Sequence, residues 1–433
     1  MGSDCSKLSE KDEPCLVFNC IAGLKQISSR NAYSYDQFIA TLKSGTNYKG
    51  EPIKEAYLKM WSMYSPLKTS LRCLEQRGCN FELCVQRYII KPLIDLNICP
   101  FFIRLYGGST QCDFSQYAKI IFKIFSDEKV GIEKLMKAET GKEHECILNI
   151  ARTLSFNDIT VGEVETLNIM RNPMIRPLFI TPSVIAKGLG KPDLETMKAM
   201  KTGFIATEMY PHSLRDVLRS GSEIDVNCMF LQIAYACLAL NASKTVHNNL
   251  TLSNIKVQQL DRAHVMELHV IEQPLGSEAK IRFQTSLMCK IGDFSKSLAV
   301  RYRHNPNSFL TLKNSPIVSH NYDFVRFMLS LKEPENFQDM SAHAKKSVVT
   351  IFSILTYHPH AKAAFDELRF FPQPRYVDTM VFPSMYEIFM SLPQTLNILS
   401  TEPLTMDPFK TLNEFDFNPV NGRYEPSKIV RFM

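Results

Sequence analysis

The chain has 433 residues, 45% hydrophobic and 22% charged, with a formal net charge of +6. That balance excludes a largely disordered chain, and the lack of any Lys/Arg block argues against nucleic acid as a partner. The length allows one large core, or two lobes sharing a cleft.

The first seven residues, Met1-Gly2-Ser3-Asp4-Cys5-Ser6-Lys7, fit an N-myristoylation pattern with Gly2 as acceptor and Ser6 at its required place. One myristoyl chain binds membranes only marginally, so Cys5 is the candidate for a second acylation. Short patterns of this kind also arise by chance. A membrane surface is therefore an expected partner through residues 1–36, which otherwise read as a mixed lead-in.

Further along, Gln37–Leu42 reads as a strand or a short helix, and Lys43–Gly50 as a turn. Ala56–Trp61 is strand-like, with Lys59 in its middle. Phe81 to Leu96 has helical spacing, with Phe81, Val85, Tyr88, Ile89, Leu93 and Leu96 on one side. Ile98-Cys99-Pro100 ends it, and Phe101–Tyr106 reads as a strand before Gly107-Gly108. Residues 107–202 read as a largely helical insert without a motif. Phe204–Met209 is strand-like, Ser213–Leu218 begins a helix, and Met229–Ala242 is a strongly apolar helix. Two alternating runs, His264–Ile271 and Lys280–Leu287, flank Pro274-Leu275-Gly276-Ser277, which is a hairpin signature. Arg301-Tyr302-Arg303-His304, the densest basic cluster, reads as a solvated loop. From about Asn321 the pattern is mainly helical.

The twelve cysteines include no Cys-x-x-Cys pair, and Cys73, Cys79, Cys84 and Cys99 lack zinc-site spacing. With no secretory signal ahead of them, they read as reduced thiols in the cytosol. Cys228 and Cys237 lie in helical text, where a buried thiol is expected. No apolar run approaches the length of a membrane-spanning helix.

Two short stretches carry the chemistry. Val246–Ile255 holds His247, Asn249, Leu250, Thr251 and Asn254; Lys290–Ser295 holds Asp293 and Phe294. Their order and offsets resemble the catalytic and metal-binding loops of protein kinases. More narrowly, Val246–Ile255 resembles the loop of the kinase-like proteins of large cytoplasmic DNA viruses. The Tyr322-Asp323-Phe324 segment resembles those proteins' helix whose Asp braces that loop. Ile98–Phe102 resembles their entry to the strand after helix C.

The resemblance implies an α+β, two-lobe fold with a small β-rich lobe and a larger helical one. It places the small lobe at 37–207, including the 107–202 insert, and the large lobe at 208–433. ATP and Mg²⁺ are the implied cofactors. Lys59 would neutralise the α/β-phosphates, with Lys68 as competitor, and Glu82 would pair with that Lys from helix C. Thr207, Glu208 and Met209 would form the gate and hinge against the adenine edge. Asn254 and Asp293 would hold metal.

Three departures bear on activity. Asn249 stands where the catalytic Asp is expected, and an amide does not accept a proton near neutral pH. Thr251 replaces the loop Lys, and Ser295 the Gly after Asp-Phe. Gly45 and Gly50 also fall short of a glycine-rich phosphate loop. The expectation is a catalytically impaired pseudokinase that binds nucleotide or a protein partner. The alternatives are a divergent Ser/Thr kinase transferring the ATP γ-phosphate, and a structural virion or membrane-associated protein. The expected setting is cytoplasmic, at a membrane surface, or in a virion or infected host cell.

Overall fold

The computed structural model describes residues 20–26, 36–62, 79, 81–113, 201–220, 225–271, 278–299, 321–357, 361–363, 383–396, 398, 415–417 and 424–426. Gly2, Cys5, Lys68, Cys73, the Arg301–His304 cluster and residues 114–200 of the expected insert lie outside them. The protein is α+β. It divides into two compact units, Met1–Leu83 with Leu105–Met209, and Cys84–Arg104 with Tyr210–Met433.

The first unit is built on an antiparallel sheet of five strands: β1 (Ile21–Gln26), β2 (Asp36–Leu42), β5 (Glu55–Ser62), β6 (Leu105–Asp113) and β7 (Lys201–Thr207). Their order is β1-β2-β5-β7-β6. β2 shows the period of two: Phe38, Ala40 and Leu42 are buried while Gln37 and Ile39 are partly exposed. In β7, Phe204, Ile205 and Ala206 are all buried, as befits a strand covered on both faces. Between β2 and β5, the pair β3 (Asn47–Tyr48) and β4 (Glu51–Pro52) turns through Lys49 and Gly50, both at positive φ (52° and 87°). That is the twist a two-residue hairpin loop needs, and glycine supplies it without strain.

The structure corrects the reading here in three places and decides it in a fourth. The lead-in contributes a strand, β1. Gln37–Leu42, read as a strand or a short helix, lies within strand β2. The turn at Lys43–Gly50 contains β3. The start of the expected helical insert, up to Asp113, is strand β6. Gly107 and Gly108 are poor helix formers. Gly108 is also needed for packing: a Cβ there would stand 2.9 Å from the Phe204 carbonyl oxygen and press into Leu83.

The second unit begins in a helical run. Residues 81–85 are helical, Gln86–Ile90 is a π-helical segment, and α1 follows (Lys91–Asp95). Pro92 has no N–H to donate and its ring crowds the carbonyl four residues back. The widened turn accommodates it, and the Lys91 N–H reaches back to the Gln86 carbonyl. Phe101–Arg104 is not a regular strand. Instead the Ile103 N–H donates to Ile291 O (3.0 Å) and the Ile291 N–H to Phe101 O (2.9 Å), forming an isolated bridge.

A short helix and a long one come next in the chain. β8 (His212–Ser213) leads into α2 (Leu214–Arg219), closed by a capping box between Ser213 and Asp216. α3 (Val226–Ala242) is capped by Asp225 and is buried all round, the pattern of a core helix. β9 (Thr245–Val246) pairs with β12 (Leu298–Ala299). The expected hairpin is present and longer than read: β10 (Ile255–Ile271) against β11 (Glu278–Ile291), with β8 beside the start of β10. β11 packs on α3, where Gln232 donates to Leu287 O (2.7 Å) and accepts from Cys289 N (2.8 Å). The helices α4 (Tyr322–Lys332), α5 (Pro334–Gln338), α6 (Ala342–Leu355) and α7 (Met385–Thr395) complete the described part.

Candidate nucleotide site

In the first unit, the register of β5 against β7 places Lys59 opposite Ile205. Directly paired residues share a face. Ile205 belongs to a buried cluster with Cys79, Leu83 and Leu105, so this is the face covered by the residues around Glu82. There Lys59 Nζ meets Glu82 Oε2 at 2.6 Å, with both side chains about 95% buried. A pair this dry is held by mutual charge against a large desolvation cost, and removing one partner costs on the order of 3–5 kcal/mol. Thr207 ends β7 and is buried; Glu208 and Met209 follow it outside regular structure, partly exposed.

In the second unit, three segments distant in sequence meet at the loop after α3. Asp323, in the first turn of α4, accepts from the backbone N–H of His247 (2.6 Å) and of Asn248 (2.8 Å). Burial pushes the Asp323 carboxyl up, while His247 and the two N–H groups pull it down; the net direction is upward. His247 is wholly buried. Its Nε2 lies 2.8 Å from the Gly292 carbonyl, which only accepts, while Nδ1 accepts from the Asn249 N–H at 3.3 Å. The pair of contacts therefore selects the tautomer protonated on Nε2. Its ring packs on Phe294 at 4.8 Å between centroids, and Phe294 in turn packs on Phe102. Gly292 fits because a Cβ there would collide with Ile103.

Asn249 is partly exposed at the mouth of this loop. Its carbonyl accepts from the Asn254 side-chain amide at 2.9 Å, and Asn254 O accepts from Gly292 N, also at 2.9 Å. One asparagine thus ties the two loops together and has its amide nitrogen engaged, leaving the oxygen as its ligating atom. Asp293 adopts a left-handed conformation (φ 62°, ψ 67°), as does Asn248 (φ 62°). Asn and Asp tolerate this region better than other side chains, and such outliers gather at functional sites. Thr251 is half-buried, and its carbonyl accepts from the Asn254 N–H at 3.0 Å.

One contact of Ser295, and the residues Lys256 and Asp216, escaped the motif reading. The Ser295 hydroxyl donates to Asp293 Oδ1 at 2.8 Å. Lys256, at the start of β10, donates from Nζ to Ser253 O at 3.0 Å; burial pushes its ammonium pKa down, the charges of Asp216 and Asp293 push it up, and the net direction is downward. Asp216 accepts from the Ser213 hydroxyl (2.6 Å) and backbone N–H (3.0 Å). A lysine between Ile255 and Val257, in an otherwise apolar strand start, was the available signal for Lys256.

No family model matches the chain, and no curated protein matches it. Among solved structures it is similar to a Plasmodium kinase domain. The identity is 10%, over 86% of this chain and 94% of that one, with a TM-score of 0.36, a loose likeness. Among the described residues no helix is long and apolar enough to cross a membrane, and no group of three or more His, Cys, Asp or Glu could hold a metal ion.

Proposed function

We propose that the chain is a protein-kinase-like protein that binds nucleotide and transfers phosphate poorly or not at all. The observation that supports this most is the bracing of the His247–Asn254 loop. Asp323 holds its backbone, His247 ties it to Gly292, and Asn254 links Asn249 to the Asp293 segment. A loop assembled this fully is one whose geometry matters, yet it carries a partly exposed Asn249 in place of a carboxylate. The retained, buried Lys59–Glu82 pair supports nucleotide binding from the first unit's side of the argument. Asn254 and Asp293 offer amide and carboxylate oxygens, the donor types that Mg²⁺ takes, and a metal in this loop would sit on them. When bound, it would supply charge neutralisation to phosphate oxygens.

Asn249 has no proton affinity with which to act as a base; it could only orient a hydroxyl by hydrogen bonding. General-base help is worth about 10²–10⁴-fold, so transfer should fall by that order relative to a carboxylate at this position. The acylation pattern at Gly2 and Cys5 supports a membrane surface as the setting in which such a protein meets a protein partner. Intact mass after expression with an N-myristoyltransferase tests the lipid part.

The decisive assay for the main reading pairs ATP-dependent thermal stabilisation with radiolabelled phosphotransfer. Wild type should be stabilised by ATP and show little transfer, and Asn249→Asp should raise transfer by about 10²-fold or more if the rest of the site is assembled. Robust wild-type transfer that vanishes in Asp293→Ala would overturn the reading in favour of a divergent active kinase.

A further inference from the structure

We propose that Ser330 is a positioning residue of the His247–Asn254 loop, holding its far end as Asp323 holds its near end. Asp323 and Ser330 stand seven residues apart in α4, about two turns, and so lie on one face of the helix. Asp323 accepts from the backbone N–H groups of His247 and Asn248. Ser330 Oγ accepts from the Leu252 N–H at 3.2 Å. Between residues 324 and 331 the other buried side chains of α4 are apolar: Phe324, Val325, Phe327, Met328, Leu329 and Leu331. A hydroxyl set among them costs free energy unless it is hydrogen-bonded, and here its partner is the loop.

The Leu252 backbone is held from its other side as well. Leu252 is wholly buried, where a backbone donor or acceptor without a partner is costly. Its carbonyl accepts from the Arg215 N–H at 3.3 Å. Arg215 lies in the first turn of α2, where backbone N–H groups have no partner inside the helix, and the capping box between Ser213 and Asp216 fixes that turn. Ser330 is anchored in its turn, because its carbonyl accepts from the Asn336 side-chain amide at 2.8 Å. Leu252 is the second residue of the tight turn in which the Thr251 carbonyl accepts from the Asn254 N–H. Asn254 then reaches Asn249 O through its side chain. A hydroxyl on α4 therefore acts on Asn254 and Asn249 through the Leu252 backbone.

The hold on the loop stands on these contacts alone. Its consequence, that nucleotide affinity depends on Ser330, rests on the reading proposed above. The experiment compares the full-length wild type with Ser330→Ala, with Ser330→Cys, near in size but a weak acceptor, and with Ser330→Thr, which keeps the hydroxyl. Amide hydrogen exchange read by mass spectrometry follows residues 249–254, with α3 as internal reference. ATP affinity is measured by calorimetry well below the unfolding temperature. Ser330→Ala and Ser330→Cys should speed exchange in the loop by about tenfold, the loss of one buried hydrogen bond, and leave α3 unchanged. Both should bind ATP about fivefold or more weakly, while Ser330→Thr matches wild type in both measurements. A serine that merely filled space would lose nothing in Ser330→Cys. Loop exchange in the Ala and Cys variants equal to wild type overturns the inference, as does loop exchange in Ser330→Thr as fast as in Ser330→Ala. Faster loop exchange with unchanged ATP affinity overturns the positioning role. Should the Ala or the Cys variant fail to fold, the other still decides. If wild type binds no ATP, the nucleotide reading falls, and the exchange comparison by itself upholds or overturns the hold on the loop.

Discussion

Asp323 uses both carboxylate oxygens on the backbone of residues 247 and 248. An asparagine in its place keeps one acceptor and turns an amide donor against a backbone donor. Asp323→Asn should therefore lower stability by about 1.5–3 kcal/mol in chemical denaturation; a loss below about 0.5 kcal/mol would show that the brace does little. The pH dependence has a definite sign. The folded state holds the Asp323 proton above the ordinary value of 3.8, so its contribution is full below that value. It is lost as pH rises through the folded value. Asp323→Asn should remove this part of the pH profile. At the residue scale the motifs made Asn249, Asn254, Asp293 and Asp323 legible, because loop spacing is local. The hydrogen bond from Ser295 to Asp293 was not legible. It depends on a left-handed turn at Asp293 that no spacing rule records.

The elements show where periodicity succeeds and where it stops. The apolar text at 229–242 became α3, which begins three residues earlier because Asp225 caps it. The pattern at 81–96 also became helix, but Pro92 forced a π turn that side-chain spacing does not register. Phe101–Tyr106 had the look of a strand; its first residues instead find their backbone partner in Ile291, leaving β6 to start at Leu105. Within α3, Gln232 clamps the helix to β11 through both ends of its amide. Gln232→Leu would leave the Cys289 N–H without its side-chain acceptor in a buried setting, while the Leu287 carbonyl keeps the Thr285 hydroxyl as donor. One such group costs about 1–3 kcal/mol, and a loss of that size is expected from denaturant midpoints. Gln232→Glu keeps the acceptor for Cys289 and should fall between. Equal stability of wild type and Gln232→Leu would mean that the Cys289 N–H finds another acceptor.

For the whole molecule, the order of elements from Phe204 to the long hairpin was readable, and the assignment of 84–104 to the second unit was not. That assignment rests on contacts such as the Tyr235 hydroxyl on Ile98 O (3.2 Å) and Phe102 against Phe294. More than a hundred residues separate the partners in each case, and no local pattern announces them. The core so formed encloses Cys99, Cys237 and Cys289, whose thiols burial pushes well above their usual range. A thiol that is neither accessible nor ionised does not react. Alkylation followed by mass spectrometry should leave these three unmodified in native buffer and label them together as the second unit unfolds. Early, independent labelling of any one would show that this core opens locally.

The burial of α3 on every side also has a consequence in time. A ribosome releases Val226–Ala242 several tens of residues before β11, and α4 and α7 come later still. At ordinary synthesis rates the nascent chain therefore carries a bare, greasy helix for seconds before its cover exists. Through that interval the emerging polypeptide depends on a chaperone, or on the crowd of other hydrophobic surfaces in the cell, for company.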